Sequence, residues 1–129
     1  MLLALAAYFT RDYWLPESDG LQNVVVSQRE IELVLTDIGN AVDGDRIQIS
    51  VNGKVILEDH TLTGEGTVIP ISLSKRRNEV EILALNEGSS SPNTVEVSVS
   101  HVIEGPSVQV SSGLHTGEIE KFNIKAPWW

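Results

Sequence analysis

Three carboxylates, Asp37, Asp43 and Asp45, are the side chains of this chain best spaced to do chemistry. Acidic residues on one loop, helped by backbone carbonyls, could satisfy a hard cation such as calcium, which takes about six to eight oxygen ligands. The spacing is not that of an EF-hand loop, and no Glu stands where such a loop would place its bidentate ligand. The plainer reading is that Asp43-Gly44-Asp45 closes a turn into the next strand, its Asp side chains bonding local amides. We adopt that reading. No metal and no cofactor is then expected, and Asp37, Asp43 and Asp45 are the candidate cation set if it fails.

The other reactive groups are scattered. His60, His101 and His115 lie on separate segments, without the H-x-H or H-x₃-H spacing of a metal site. A Ser-His-Asp arrangement would have to be gathered from remote positions. No G-x-S-x-G, Gly-rich phosphate loop or kinase signature is present. Glu79, Glu81 and Glu96 could pose as a glycosidase pair, but they alternate with apolar residues and read as the solvated faces of two strands. Asn86-Glu87-Gly88 and Pro92-Asn93-Thr94 bracket a loop that could present Glu87 and Asn93 to a ligand. The structural alternative is that Asn and Gly take left-handed conformations there and Pro opens the next strand. No catalytic residue is assigned, and a non-enzymatic role is expected.

The elements that must hold these residues are strands. Val24 to Val26 is one short run, and Ile31, Leu33 and Leu35 share one face of the next. Arg46 to Val51 alternates cleanly, and Asn52-Gly53 then separates it from Lys54-Val55-Ile56-Leu57. Asn-Gly between two such runs signals a type I′ hairpin, whose central positions both need φ > 0. Ile69, Ile71 and Leu73 share a face, but Pro70 cannot donate to a ladder and marks an edge. Residues 79–85 turn fully apolar, as a central strand does, and residues 94–100 alternate throughout. Residues 107–110 and 118–125 complete about nine runs spaced some ten residues apart. This predicts an all-β chain folded as a single antiparallel β-sandwich of seven to nine strands, of Ig-like or Greek-key type. Its expected core is Ile31, Leu33, Ile47, Ile49, Val51, Ile71, Val80, Ile82, Val95, Val97 and Val99. An N-terminal arm (1–20), extended or with one short amphipathic turn, precedes the sandwich (21–125), and a Trp tail (126–129) follows it.

Composition narrows the partners. The 129 residues suit one domain, and the net charge of −9 repels phosphate backbones and anionic lipid, so nucleic acid is not an expected partner. Lys75-Arg76-Arg77, the one basic run, is too short for a footprint and reads as a solvated turn. The absence of Cys removes disulfides and thiolate chemistry. Residues 1–9 are apolar but lack a basic region before them and fall far short of a membrane span.

Aromatics are few: three Trp, two Tyr and two Phe. Trp14 lies in the arm, and Trp128 and Trp129 lie together at the other end. Trp is enriched at buried interface anchors, and an apolar run such as Leu2, Leu3 and Leu5 with Tyr8 and Phe9 needs cover in a soluble protein. These residues (Leu2, Leu3, Leu5, Tyr8, Phe9, Trp14, Trp128 and Trp129) are the candidate partner-binding set. Self-packing over an open sandwich edge is the equal alternative.

The run Asp43-Gly-Asp45, Asn52-Gly53, Asn78, Asn86-Glu-Gly88 and Pro92-Asn-Thr94 is similar to a short β-sandwich module found in bacterial proteins of unassigned function. That module often sits at the C-terminal end of secreted or envelope proteins, and the likeness spans roughly residues 31–124. This chain departs from it by carrying the module nearly alone, with an apolar arm instead of a secretion signal. A small acidic sandwich with adhesive ends also resembles, in type rather than motif, the decoration (cement) proteins of bacteriophage capsids. That second likeness implies a virion accessory protein that binds the major capsid protein through its termini, as a homo-oligomer or multi-copy array. The first implies a secreted or cell-envelope module that binds carbohydrate or protein.

Overall fold

The computed structural model describes residues 22–37, 44–87, 95–110 and 113–127. Ten strands fill them: β1 (Gln22–Val26), β2 (Glu30–Asp37), β3 (Arg46–Val51), β4 (Lys54–Thr61), β5 (Thr67–Ser72), β6 (Arg77–Ala84), β7 (Val95–Val99), β8 (Val102–Glu104), β9 (Val108–Val110) and β10 (Ile119–Lys125). The expected all-β fold is present. A six-stranded sheet in the order β4-β3-β6-β10-β1-β8 faces a four-stranded sheet in the order β5-β2-β7-β9.

Period-two patterning builds both sheets. On β3, Ile47, Ile49 and Val51 point inward while Arg46, Gln48 and Ser50 are half-exposed. All eleven expected core residues are buried, joined by Val24, Val26, Leu35, Leu62, Leu73, Ala84, Leu114, Phe122, Ile124 and Ala126. Burial of each larger aliphatic chain contributes on the order of 1.5–3 kcal/mol. Asn52 and Gly53 both have positive φ, 55° and 83°, as the expected hairpin requires. Two details go beyond the sequence pattern. β8 is a separate three-residue strand that hydrophobic spacing does not mark, and β1 pairs parallel with β10, Gln22 opposite Phe122 and Val25 opposite Lys125.

The crossing from β8 to β9 runs close over β1. A Cβ on Gly105 would lie 2.5 Å from the carbonyl oxygen of Asn23, and φ there is +91°, so only glycine fits.

Among the described residues, all four sheet edges are blunted. β8 and β9 have three residues each. β4 shifts register against β3 at two places, which bends an edge away from flat pairing. On β5, Pro70 sits opposite Glu32. The Glu32 amide donates to Ser100 Oγ (2.8 Å) and its carbonyl accepts from the Ser100 amide (3.0 Å), both on the β7 side. The missing Pro70 donor therefore faces the open edge.

Candidate functional site

Strand directions define two poles. At one, β2 ends in Asp37, β3 begins after Asp45, β6 runs out into Asn86 and Glu87, and β10 begins after Glu118. At the other, the β1–β2 turn carries Arg29, the β3–β4 hairpin leads into Lys54, the β5–β6 turn carries Lys75 and Arg76 ahead of Arg77, and β10 ends in Lys125. Eight-residue strands separate the poles by roughly 26 Å, at about 3.3 Å per residue.

At the acidic pole, Asp37 and Asp45 are buried, at 7% and 1% exposure. The connection from β4 to β5 is pinned between them: the Asp37 amide donates to the Thr63 carbonyl (2.9 Å), and the Leu62 amide to the Asp45 carbonyl (2.8 Å). Asn86 brackets Asp45. Its Oδ1 accepts from the Arg46 amide (2.7 Å) and its Nδ2 donates to the Gly44 carbonyl (3.1 Å). The two motifs are thus parts of one clamp. Asn86 does not take the left-handed conformation expected of it; its side chain bonds the turn at Asp45 instead.

Glu87 is likewise spent within the fold. Its carboxylate accepts from His115 Nδ1 (3.1 Å), the Thr116 amide (3.1 Å) and Thr116 Oγ1 (3.2 Å). Glu118 Oε1 accepts from the His115 amide (2.9 Å). The hydrogen bond that His115 donates to Glu87, then the charge of Glu87, raises the His115 pKa above 6.5; desolvation opposes this and the charge of Glu118 adds to it. The Thr116 hydroxyl bonds the carboxylate rather than the imidazole, so the trio joins two loops and does not form a nucleophile–base pair.

Asp37 and Asp45 come together at this pole, but no group of three or more His, Cys, Asp or Glu side chains among the described residues is placed to hold a metal ion. Asp43, and all of Leu2, Leu3, Leu5, Tyr8, Phe9, Trp14, Trp128 and Trp129, lie outside the described residues, as do Gly88 and Pro92-Asn93-Thr94. His60 Nε2 lies 2.9 Å from Thr67 Oγ1 and ties β4 to β5. His101 caps the turn between β7 and β8 with φ 57°. Glu79 and Glu81 share Lys121, at 4.0 and 3.7 Å, on the six-stranded sheet, whereas Glu96 is on the other sheet. The three carboxylates do not converge.

The basic pole is where sequence reasoning saw least. Of nine Lys and Arg in the chain, Arg29, Lys54, Lys75, Arg76, Arg77 and Lys125 collect there. Beside them, the open edges of β4 and β5 enclose a cleft of about 510 Å³, lined by Val51, Ile56, Pro70 and Ile71 together with Lys54 and Lys75. Only Lys75-Arg76-Arg77 is visible as a run. The other cations join it through topology, which no local pattern shows.

Beneath this pole lies Asn78, fully buried. Its Oδ1 accepts from Asn52 Nδ2 (2.9 Å) and the Lys75 amide (3.2 Å), and its Nδ2 donates to the carbonyls of Lys75 (2.8 Å) and Ile124 (3.2 Å). Every bonding position of that amide is filled. No protein family, curated protein or solved structure matches this chain.

Among the described residues no helix is long and apolar enough to cross a membrane.

Proposed function

We propose that this chain is a non-enzymatic assembly protein whose sandwich acts as a rigid spacer between contacts at its two poles. The observation that carries this reading is the parallel pairing of β1 with β10. Gln22 pairs with Phe122, midway along β10, and both strands run toward the basic pole, so the described chain enters and leaves the sheet in the same direction, its exit at the basic pole displaced from its entry along the strand axis. A spacer that joins two contacts in line needs this arrangement. The blunted edges support it, because they disfavour partner capture by strand addition. So do the motif residues: Asn52, Asn78, Asn86 and Glu87 bond the protein's own turns.

The proposed setting is a virion, with the chain docked in multiple copies on a major capsid protein through Leu2, Leu3, Leu5, Tyr8, Phe9, Trp14, Trp128 and Trp129. Many copies on one shell would allow each contact to be modest. The alternative, a secreted or envelope module, rests on the bacterial likeness of its turn motifs. Its carbohydrate-binding form has little support in the body, since Phe122, the aromatic among the described residues, is 1% exposed and sugar stacking needs an open ring.

The test is cosedimentation with assembled shells. Capsid, portal or tail genes beside this one would identify the shell to use. Deleting residues 1–15, or Trp128 and Trp129, should leave a folded protein that binds at least about tenfold more weakly, the loss of about 1.4 kcal/mol. Unchanged binding by both folded truncations would overturn the adhesive-ends mechanism.

A further inference from the structure

We infer that the cleft between β4 and β5 at the basic pole is a docking site for an acidic, partly apolar peptide segment of a protein partner. This goes beyond the terminal contacts proposed above and stands without them.

Charge is the first argument. In a chain of net charge −9, carboxylates are plentiful enough to neutralise every cation. Yet Lys54, Lys75, Arg76, Arg77 and Lys125 form no ion pair among the described residues, whose ion pairs use Arg46, Lys121 and His115 instead. Lys54, Lys75, Arg76 and Arg77 are exposed. The carboxylate bonded to the cleft's lining, Glu30, accepts from Ser72 Oγ (2.6 Å) and pairs with none of these cations; like charges gathered at one pole repel one another, and an anionic partner would relieve that.

Construction is the second. The two lysines that line the cleft stand on different turns, and both turns are held by the same buried amide. Asn78 grips the backbone of Lys75 on both sides and the side chain of Asn52, two residues before Lys54. Asn52 Oδ1 in turn accepts from the Glu79 amide (3.0 Å). Arg76 is tied in as well, its carbonyl accepting from the Ala126 amide (2.7 Å). The cations are therefore mounted on a fixed frame, which lowers the ordering cost of binding.

The lining is the third argument, and it selects the occupant. Val51, Ile56, Pro70 and Ile71 supply an apolar floor, and Ser74 adds an exposed hydroxyl. A polyanion such as a sulfated glycan would use the cations and leave the floor wet. A peptide with alternating Glu and Leu would fill both, carboxylates on Lys54 and Lys75 and apolar side chains on the floor.

The experiment uses the full chain and a short fluorescein-labelled peptide of alternating Glu and Leu, read by anisotropy at low salt. Saturable binding is expected, weakened at least about tenfold by Lys54→Gln with Lys75→Gln. Thr61→Glu, which makes the same change of net charge as Lys54→Gln alone but at the far end of β4, should change affinity less than about twofold. A Glu–Ser peptide without apolar side chains should bind at least about fivefold more weakly, about 1 kcal/mol. Binding indifferent to the lysine changes, or equal for the Glu–Ser peptide or a sulfated glycan, would overturn the proposal. So would equal losses from Thr61→Glu and from Lys54→Gln alone, which would reduce the effect to net charge. Failure here leaves the terminal contacts untouched, because both lysine variants keep both chain ends.

Discussion

The two poles solve the same problem with opposite materials. Each must hold several turns together where strands end and backbone groups lose their ladder partners, and each does so with an asparagine side chain. At the basic pole, Asn78 is fully buried and makes four hydrogen bonds to three segments. At the acidic pole, Asn86 is half-exposed and brackets the turn at Asp45, with bonds of 2.7 and 3.1 Å. The remaining fastening there passes to Glu87 and the exposed His115. A buried neutral amide works at any pH, whereas a carboxylate–imidazole pair on the surface depends on it. The basic pole is thus the rigid one, and it is also the one that carries a preformed cleft.

Breaking the clamps should expose that difference. Asn78→Ala removes all four bonds and strands buried partners, so a loss of about 3–4 kcal/mol in urea unfolding is expected. Asn78→Asp keeps the shape but loses both donated bonds and buries charge, and should be no better. Asn86→Ala should cost about 1–2 kcal/mol, because water can reach the groups it leaves. If the two alanine variants lose the same stability, the poles do not differ as argued. Gly53→Ala, which forces a side chain onto φ 83°, should cost about 1 kcal/mol and leave the acidic pole intact.

The smallest effect is one of pH. The raised His115 pKa means the folded state holds its proton more tightly than the unfolded chain. The contribution of the Glu87 pair is therefore complete below the ordinary value of 6.5 and is lost as pH rises through the folded value. In an NMR titration the His115 midpoint should fall in Glu87→Gln. A midpoint unmoved by that change would remove the carboxylate as its cause.

Much of the body is legible in the sequence, for a physical reason. Alternation writes the inner face of each long strand directly, so Ile47, Ile49 and Val51, or Val95, Val97 and Val99, can be assigned without a structure. Isolated core residues cannot. Leu62 and Leu114 are single apolar side chains among polar neighbours, and only the fold shows that both are buried. The pairing of β1 with β10 joins residues about a hundred positions apart, and no local pattern encodes it. The same limit hides the basic pole. Lys75-Arg76-Arg77 is the exposed turn between strands that its sequence suggests; that Lys54 and Lys125 stand at the same pole is visible only in the topology. At the acidic pole the turn motifs name the residues but not their partners: that Glu87 bonds a second loop, and that Asn86 clamps the turn holding Asp45, is seen only in the fold.

The central claim is that the body separates two independent contacts at opposite poles. It is tested most directly by a cycle of four proteins on one assembled shell: the full chain, the deletion of residues 1–15, the deletion of Trp128 and Trp129, and both deletions together. Contacts that are independent on a rigid spacer should lose binding free energy additively, within about 0.5 kcal/mol. A double deletion no weaker than either single one would show that the two ends form one shared contact, and would contradict the account.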